Sequence, residues 1–326
     1  MRTVAGTLVI ALGLLLALHM RSNAAEEGFP SKTVTLIVPY PAGGPSDFNA
    51  RSLADEYTKR LHQTVLVENV VGVNGAMAVQ RVLDGAADGH TLLIGSPLEL
   101  IFAPLSLATV KYRPQDLRLV AVTATTPLLV LVRKEAPAAH LAEFLAWARG
   151  KTLSAANPGH GSLYHLAAIQ FAQRSGLMLT HVPYKGGAQI LTDLSGGHVD
   201  MAIYPLAGNV LSMIKEGRFK ALGIAAAEPH PMLPDVAPIS SDATFSGFNF
   251  DVWIGVQVPR STAETVVDRI HRDIYDSIDE PAFRKQVEAH GPRIQPRRSL
   301  QELEQTYAAE IARYQALARS INLTPQ

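Results

Sequence analysis

The chain contains no cysteine. That absence excludes disulfides, thiolate metal sites, a cysteine nucleophile and lipid attachment through an N-terminal cysteine. Neither sign of charge is in excess: 29 basic and 29 acidic residues balance, and charged residues make up only 18% of the chain. Nothing here suggests a nucleic-acid surface, and no long run of like charge marks a tail. Beyond the N-terminus, no stretch is long and apolar enough to cross a bilayer, which takes roughly 20 residues. The 326 residues are 47% hydrophobic, ample for a large core, and this length favours two domains over one.

The N-terminus has the form of a secretory signal. Arg2 supplies the positive start, Val4 to Leu18 is almost wholly apolar, and Ser22, Asn23, Ala24 and Ala25 offer small residues for cleavage. Residues 1–25 are therefore expected to be removed, leaving a nearly neutral exported chain. The competing reading is an uncleaved anchor helix.

Strands and helices then alternate. Val34 to Val38 is a β-branched run suited to a buried strand, and Leu53, Tyr57 and Leu61 recur at helical spacing after a turn-rich loop. Val65 to Val67 and Thr91 to Gly95 are further strands, with a helix from about Gly75 to Leu83 between them. The rhythm restarts near Leu128: a strand to Val132, a helix over Leu141 to Arg149, and a strand from Thr152 to Ala155. Strands follow at Leu179 to Val182, Val199 to Tyr204 and Phe219 to Ala225. This repeated β-loop-α order predicts parallel strands joined by right-handed crossovers. Glu228 to Ser246 is a connection rich in proline, serine and alanine. Trp253 to Val258 is one more strand, and two closing helices follow, the second opened by a capping box, Ser299 to Glu302. The late return predicts a discontinuous first domain, residues 29–127 with 229–326, and a second domain of residues 128–228. The closing helices should pack on the first.

Each half sets a glycine-rich turn between a strand and a helix: Gly43, Gly44, Pro45, Ser46 and Asp47 in the first, and Gly159, His160, Gly161 and Ser162 in the second. Glycine lets backbone approach a ligand, and Ser46, Asp47 and Ser162 are good N-cap residues. The free N–H groups and dipole of each helix suit a carboxylate, and parallel sheets bind ligands at the carboxyl ends of their strands. The plainer alternative is two ordinary strand-to-helix turns.

The wording of the first loop is more specific. Pro39-Tyr-Pro-Ala-Gly-Gly-Pro-Ser-Asp47, followed by Ala50 and Arg51, resembles the signature of the Bug family, the substrate-binding proteins of tripartite tricarboxylate transporters. The resemblance continues through Ala87 to Gly95, Gly161 to Leu166, His181 to Gly186, Thr192 to Asp200, Lys220 to Gly223, Leu233 to Val236 and Trp253 to Gly255. It implies a type II, Venus-flytrap periplasmic binding protein: α/β, two domains, each a mainly parallel sheet flanked by helices. It further implies a small carboxylate held between the two loops by backbone amides, hydroxyls and water, and delivery to membrane transporter subunits or, alternatively, to a sensor receptor. The positions expected at the ligand are Tyr40, Ala42, Gly43, Gly44, Ser46, Asp47, Ser96, Gly161, Ser162, His165, Tyr184 and Tyr204. Two stretches depart from the family pattern, Ser96 to Leu100 and Asp200 to Pro205. Both face the cleft in the implied fold. Tyr204 stands where several relatives carry an acidic residue, which favours a dicarboxylate or aromatic acid over an amino acid.

An enzyme is the reading from another class. Ser162 with His160 or His165 suggests a hydrolase, but Gly161 to His165 lacks the G-x-S-x-G elbow. His160, His165 and Asp200 lack a metal-ligand spacing, and Gly72 to Gly75 is no phosphate loop. The expectation is a monomer with no catalytic residue, no metal and no cofactor.

Overall fold

A computed structural model describes residues 28–159, 161–184, 187–321 and 323–325. The signal-like segment, His160, Lys185 and Gly186 lie outside the described residues.

β1 (Val34–Val38) is central to the first half of the sheet, with every side chain but that of Thr35 buried. It pairs in parallel with β2 (Val65–Asn69) on one side and β3 (Thr91–Gly95) on the other, the pairings joined by α1 (Pro45–Leu61) and α2 (Ala76–Leu83). After a π-turn at Leu98–Phe102 and α3 (Ala103–Ser106), the chain enters β4 (Leu117–Arg133). A second parallel set then forms: β5 (Thr152–Asn157) between β6 (Met178–Pro183) and β7 (Met201–Pro205). Its helices are α4 (Leu141–Ala148), α5 (Leu163–Ser175), α6 (Gly187–Ser195) and α7 (Val210–Lys215), and β8 (Phe219–Ile224) ends this run. β9 (Asp251–Pro259), α8 (Glu264–Ile278), α9 (Pro281–Glu288) and α10 (Leu300–Ser320) complete the chain.

The two parallel sets are parts of one mixed sheet because β4 and β9 run antiparallel to their neighbours. β9 lies between β3 and β4, and the order is β2-β1-β3-β9-β4-β7-β5-β6, with β8 also on β4. Leu117 to Pro127 pair with β9, whereas Leu128 to Arg133 pair with β7 and β8. The change of partner falls at Pro127, which has no N–H to give to a ladder. The strand expected at Leu128 to Val132 is thus only the second half of β4. Its first half is interrupted in sequence by Thr123, Thr125 and Thr126, all buried here. Thr123 Oγ1 stands 2.9 Å from Asn49 Oδ1 and 3.0 Å from the Ile254 carbonyl, which satisfies the hydroxyl within the core.

The closing helices number three rather than two. Pro281 occupies the first turn of α9, a position where its missing N–H is no loss. α8 and α9 pack on α1, with Arg60 Nη1 3.1 Å from Asp276 Oδ2. α10 packs on β4, and Tyr314 meets Phe102 with ring centroids 4.6 Å apart. The capping box at its start is formed: Ser299 Oγ accepts from Glu302 N at 3.2 Å, and Glu302 Oε2 accepts from Ser299 N at 2.8 Å. The return segment carries a buried aromatic cluster in which Phe245 stacks on Phe171 of α5, and Phe248 and Phe250 extend the contact to β9.

Candidate functional site

Between the two halves of the sheet lies a cavity of about 780 Å³, open to solvent. The Tyr40 to Ser46 loop forms one wall. β1 ends at Val38, and Gly44 rather than Ser46 or Asp47 occupies the N-cap of α1, with Pro45 in the first turn. Gly43 takes φ +81°, a turn that glycine tolerates best. Its amide is not available to a ligand, because it donates to Asp47 Oδ2 at 2.9 Å. Gly44 N reaches back to the Pro41 carbonyl at 3.4 Å. Among the described residues, this leaves the first-turn amides of Ser46 and Asp47 without a backbone acceptor, the usual open donors of a helix start.

Asp47 itself is buried and fully engaged. It also accepts from Arg51 Nε at 2.9 Å and from Asn69 Nδ2 at 2.9 Å. Burial alone would raise its pKa, but the hydrogen bonds from Arg51, Gly43 and Asn69 outweigh that and hold the carboxyl below its ordinary range. Asp47 braces the loop and presents no free carboxylate to the cavity.

Seven of the twelve expected positions line the cavity together: Tyr40, Ala42, Gly43, Gly44, Ser46, Ser96 and Tyr204. The second loop meets it differently. Gly161, at φ +75°, turns its α-carbon toward Leu323 and Ser106, and a Cβ there would lie 2.9 Å from Leu323 Cδ1. Ser162 is the N-cap of α5: its Oγ accepts from His165 N at 3.2 Å and donates to the Gly159 carbonyl at 2.8 Å. His165 is buried, accepts from Gly161 N through Nδ1 at 3.1 Å and stands edge-on to His181. These three residues hold the loop in shape. Ser162→Ala is expected to destabilise the fold by about 1 kcal/mol through the lost cap, measured by urea denaturation. Tyr184 points elsewhere, its hydroxyl donating to Asp193 Oδ2 at 2.6 Å.

The second half instead offers Pro158, Tyr164, Gly187, Ala188 and Tyr204. Tyr164 and Tyr204 lie with ring centroids 6.1 Å apart, and burial raises both hydroxyl pKa values, so both remain neutral. Thr126 of β4 and Val252 and Ile254 of β9 form the floor. Tyr164 sits two residues beyond the Ser162 cap, so the cap was its signal in the sequence. Thr126, Val252 and Ile254 had none, because their place depends on pairing between distant strands. No charged side chain lines the cavity among the described residues. No group of three or more metal-ligating side chains occurs among them either, and no helix they form is long and apolar enough to cross a membrane.

A site of open helix amides, hydroxyls and apolar walls can bind a small polar molecule. Known proteins with the same architecture agree. Residues 49–323 match the family described as tripartite tricarboxylate transporter family receptor. Protein BugT of Bordetella pertussis is 28% identical over 289 residues, spanning 87% of this chain and 88% of that one. MatC (Rpa3494) from Rhodopseudomonas palustris, solved with bound malate, superposes with a TM-score of 0.73 at 32% identity, covering 88% of this chain and 99% of that one. Rpa4515 from R. palustris, solved with adipate, gives 0.79 at 28% identity, covering 92% and 100%. The fold is that of two-domain periplasmic solute-binding proteins, which are receptors and not enzymes. The chain is a member of the tripartite tricarboxylate transporter receptor family, the Bug family of solute-binding proteins.

Proposed function

We propose that the chain is exported to the periplasm, captures a dicarboxylate or an aromatic acid in the cavity between its two domains, and hands it to the membrane subunits of a tripartite tricarboxylate-type transporter. The observation that carries this reading is the open first turn of α1 beside Ser46, facing a cavity that no charged side chain lines among the described residues. Helix-terminal amides favour an anion without a lysine or arginine to neutralise it, and such charge-assisted bonds are stronger than neutral ones. The flat walls of Tyr40, Tyr164 and Tyr204 suit an apolar body of modest size. Malate and adipate in the two R. palustris relatives support the carboxylate class.

An amino acid fits less well. Its ammonium would need a carboxylate partner, and Asp47 is committed to Arg51 and Asn69. Residues 29–127 with 229–326 form one domain in this reading and residues 128–228 the other, closing on the ligand about the shared strands β4 and β9. A thermal-shift screen with dicarboxylates, aromatic acids and their amino-acid counterparts tests it. At 100 times its Kd a ligand stabilises by about 2.7 kcal/mol. Succinate is expected to shift the melting temperature more than aspartate; a shift from amino acids alone overturns the reading.

A further inference from the structure

Glu99 is completely buried in the π-turn that follows β3. Its carboxylate meets hydroxyls and one amide instead of a cation. Oε2 accepts from Tyr40 Oη at 2.9 Å and from Ser96 Oγ at 2.8 Å, and Oε1 accepts from the Ser96 backbone N–H. Tyr40 and Ser96 line the cavity, whereas Glu99 stands behind them. Among the described residues, the groups that hydrogen-bond to it are neutral. Tyr112 Oη donates to the Glu99 carbonyl at 2.5 Å, and Tyr164 and Tyr307 act from farther off. From β9 comes Gln257: a Cβ on Gly95 would lie 2.5 Å from Gln257 Oε1 and 3.1 Å from Glu99 Oε1, so glycine at position 95 makes room for both. Burial pushes the Glu99 carboxyl up to about 7, against hydrogen bonds that pull it down.

An ionised carboxylate can only accept, and a hydroxyl has a single hydrogen to give. With Glu99 ionised, the hydrogens of Tyr40 and Ser96 both point inward at Oε2. What these two side chains have left for the cavity is lone pairs, those of Tyr40 Oη and the one on Ser96 Oγ that does not accept from Leu98 N at 3.2 Å. A ligand carboxylate, itself acceptor-only, gains nothing at this wall, whereas a ligand O–H finds two acceptors. We propose that Glu99 determines specificity from behind the wall, by turning Tyr40 and Ser96 into hydrogen-bond acceptors, so that the protein selects carboxylic acids bearing a hydroxyl over their unsubstituted parents. This rests on the reading that the cavity takes a carboxylate at the start of α1.

Calorimetry at pH 8.5, where Glu99 is ionised, tests it with two probe pairs, malate against succinate and 4-hydroxybenzoate against benzoate. In the pair that binds, the hydroxylated acid should be tighter by about tenfold, or about 1.4 kcal/mol. Glu99→Gln gives the wall a donor from behind, lets one hydroxyl hydrogen turn outward, and should bring the two affinities to within about threefold, or about 0.7 kcal/mol. Tyr40→Phe removes one acceptor at the wall and should weaken the hydroxylated acid alone. Equal affinities within each pair in the natural protein, or a preference kept by both variants, overturns the proposal while the carboxylate reading stands. If none of the four acids binds, that reading falls and the proposal falls with it.

Discussion

Gly187→Val should lower ligand affinity by about 100-fold or more, equivalent to about 2.7 kcal/mol, while leaving the fold intact. Gly187 opens α6 and lines the cavity. A Cβ at this position would overlap the hydroxyl of Tyr204 and come within 3.1 Å of its Cζ. The backbone at Gly187 is not in the left-handed region, so valine meets no φ strain and the collision is wholly with the tyrosine ring. That ring cannot retreat toward Tyr164, which already flanks it, and swings into the space a ligand needs. Affinity is measured by calorimetry with an acid found in the screen, and fold by the thermal melt. The double variant with Tyr204→Ala should recover part of the binding, since the displaced ring is then gone. Unchanged affinity in Gly187→Val would remove this wall from the site.

The second large effect concerns stability. Phe171→Ala is expected to cost about 3–5 kcal/mol, the range for a buried phenylalanine whose neighbours cannot collapse into the space. Phe171 is fully buried on α5 and stacks on Phe245 at 5.1 Å with an interplanar angle of 17°, and Phe248 meets it edge-on at 6.2 Å. Its partners belong to the segment returning to β9, so the ring fastens a helix of the second half of the sheet to the strand that re-enters the first. Urea denaturation should show a lower midpoint at an unchanged slope, the mark of lost stability without a change in the unfolded chain. A loss below about 1 kcal/mol would mean that the cluster repacks around the gap, which a close-packed interior rarely allows.

Much of this architecture was legible in the residues. Val34 to Val38 and Thr91 to Gly95 are short apolar runs ended by proline or glycine, and such runs have few alternatives to a buried strand. The first loop was legible because its glycines and prolines crowd a strand end, where the backbone has to turn. What stayed hidden has distant causes. Nothing in Gly161 and Ser162 tells which way the loop faces; Leu323 and Ser106, far along the chain, decide it. Asp47 reads as a cap or a ligand contact until Asn69 is folded beside it. Glu99, between two leucines, has the local pattern of a surface residue. Its burial comes from distant segments, Gly75, Tyr112 and Gln257 among them. The first half of β4 is hidden for the same reason, since a threonine such as Thr123 is tolerable inside because the opposite strand supplies it an acceptor.

The position of β9 between β3 and β4 has a consequence for the order in which this protein can fold. Made from its N-terminal end, the chain has β1, β2 and β3 early, and β4 with its later partners β7 and β8 by Ile224. The second half of the sheet can therefore close while the first still has two bare edges, one on β3 and one on the leading half of β4. The strand that fills both begins only at Asp251. Until then those edges are open templates for a neighbouring chain, and pairing over so long a separation is slow. Such a nascent chain is safest when it is held extended until its C-terminal third has emerged, the condition under which a polypeptide can be threaded through a membrane before it folds.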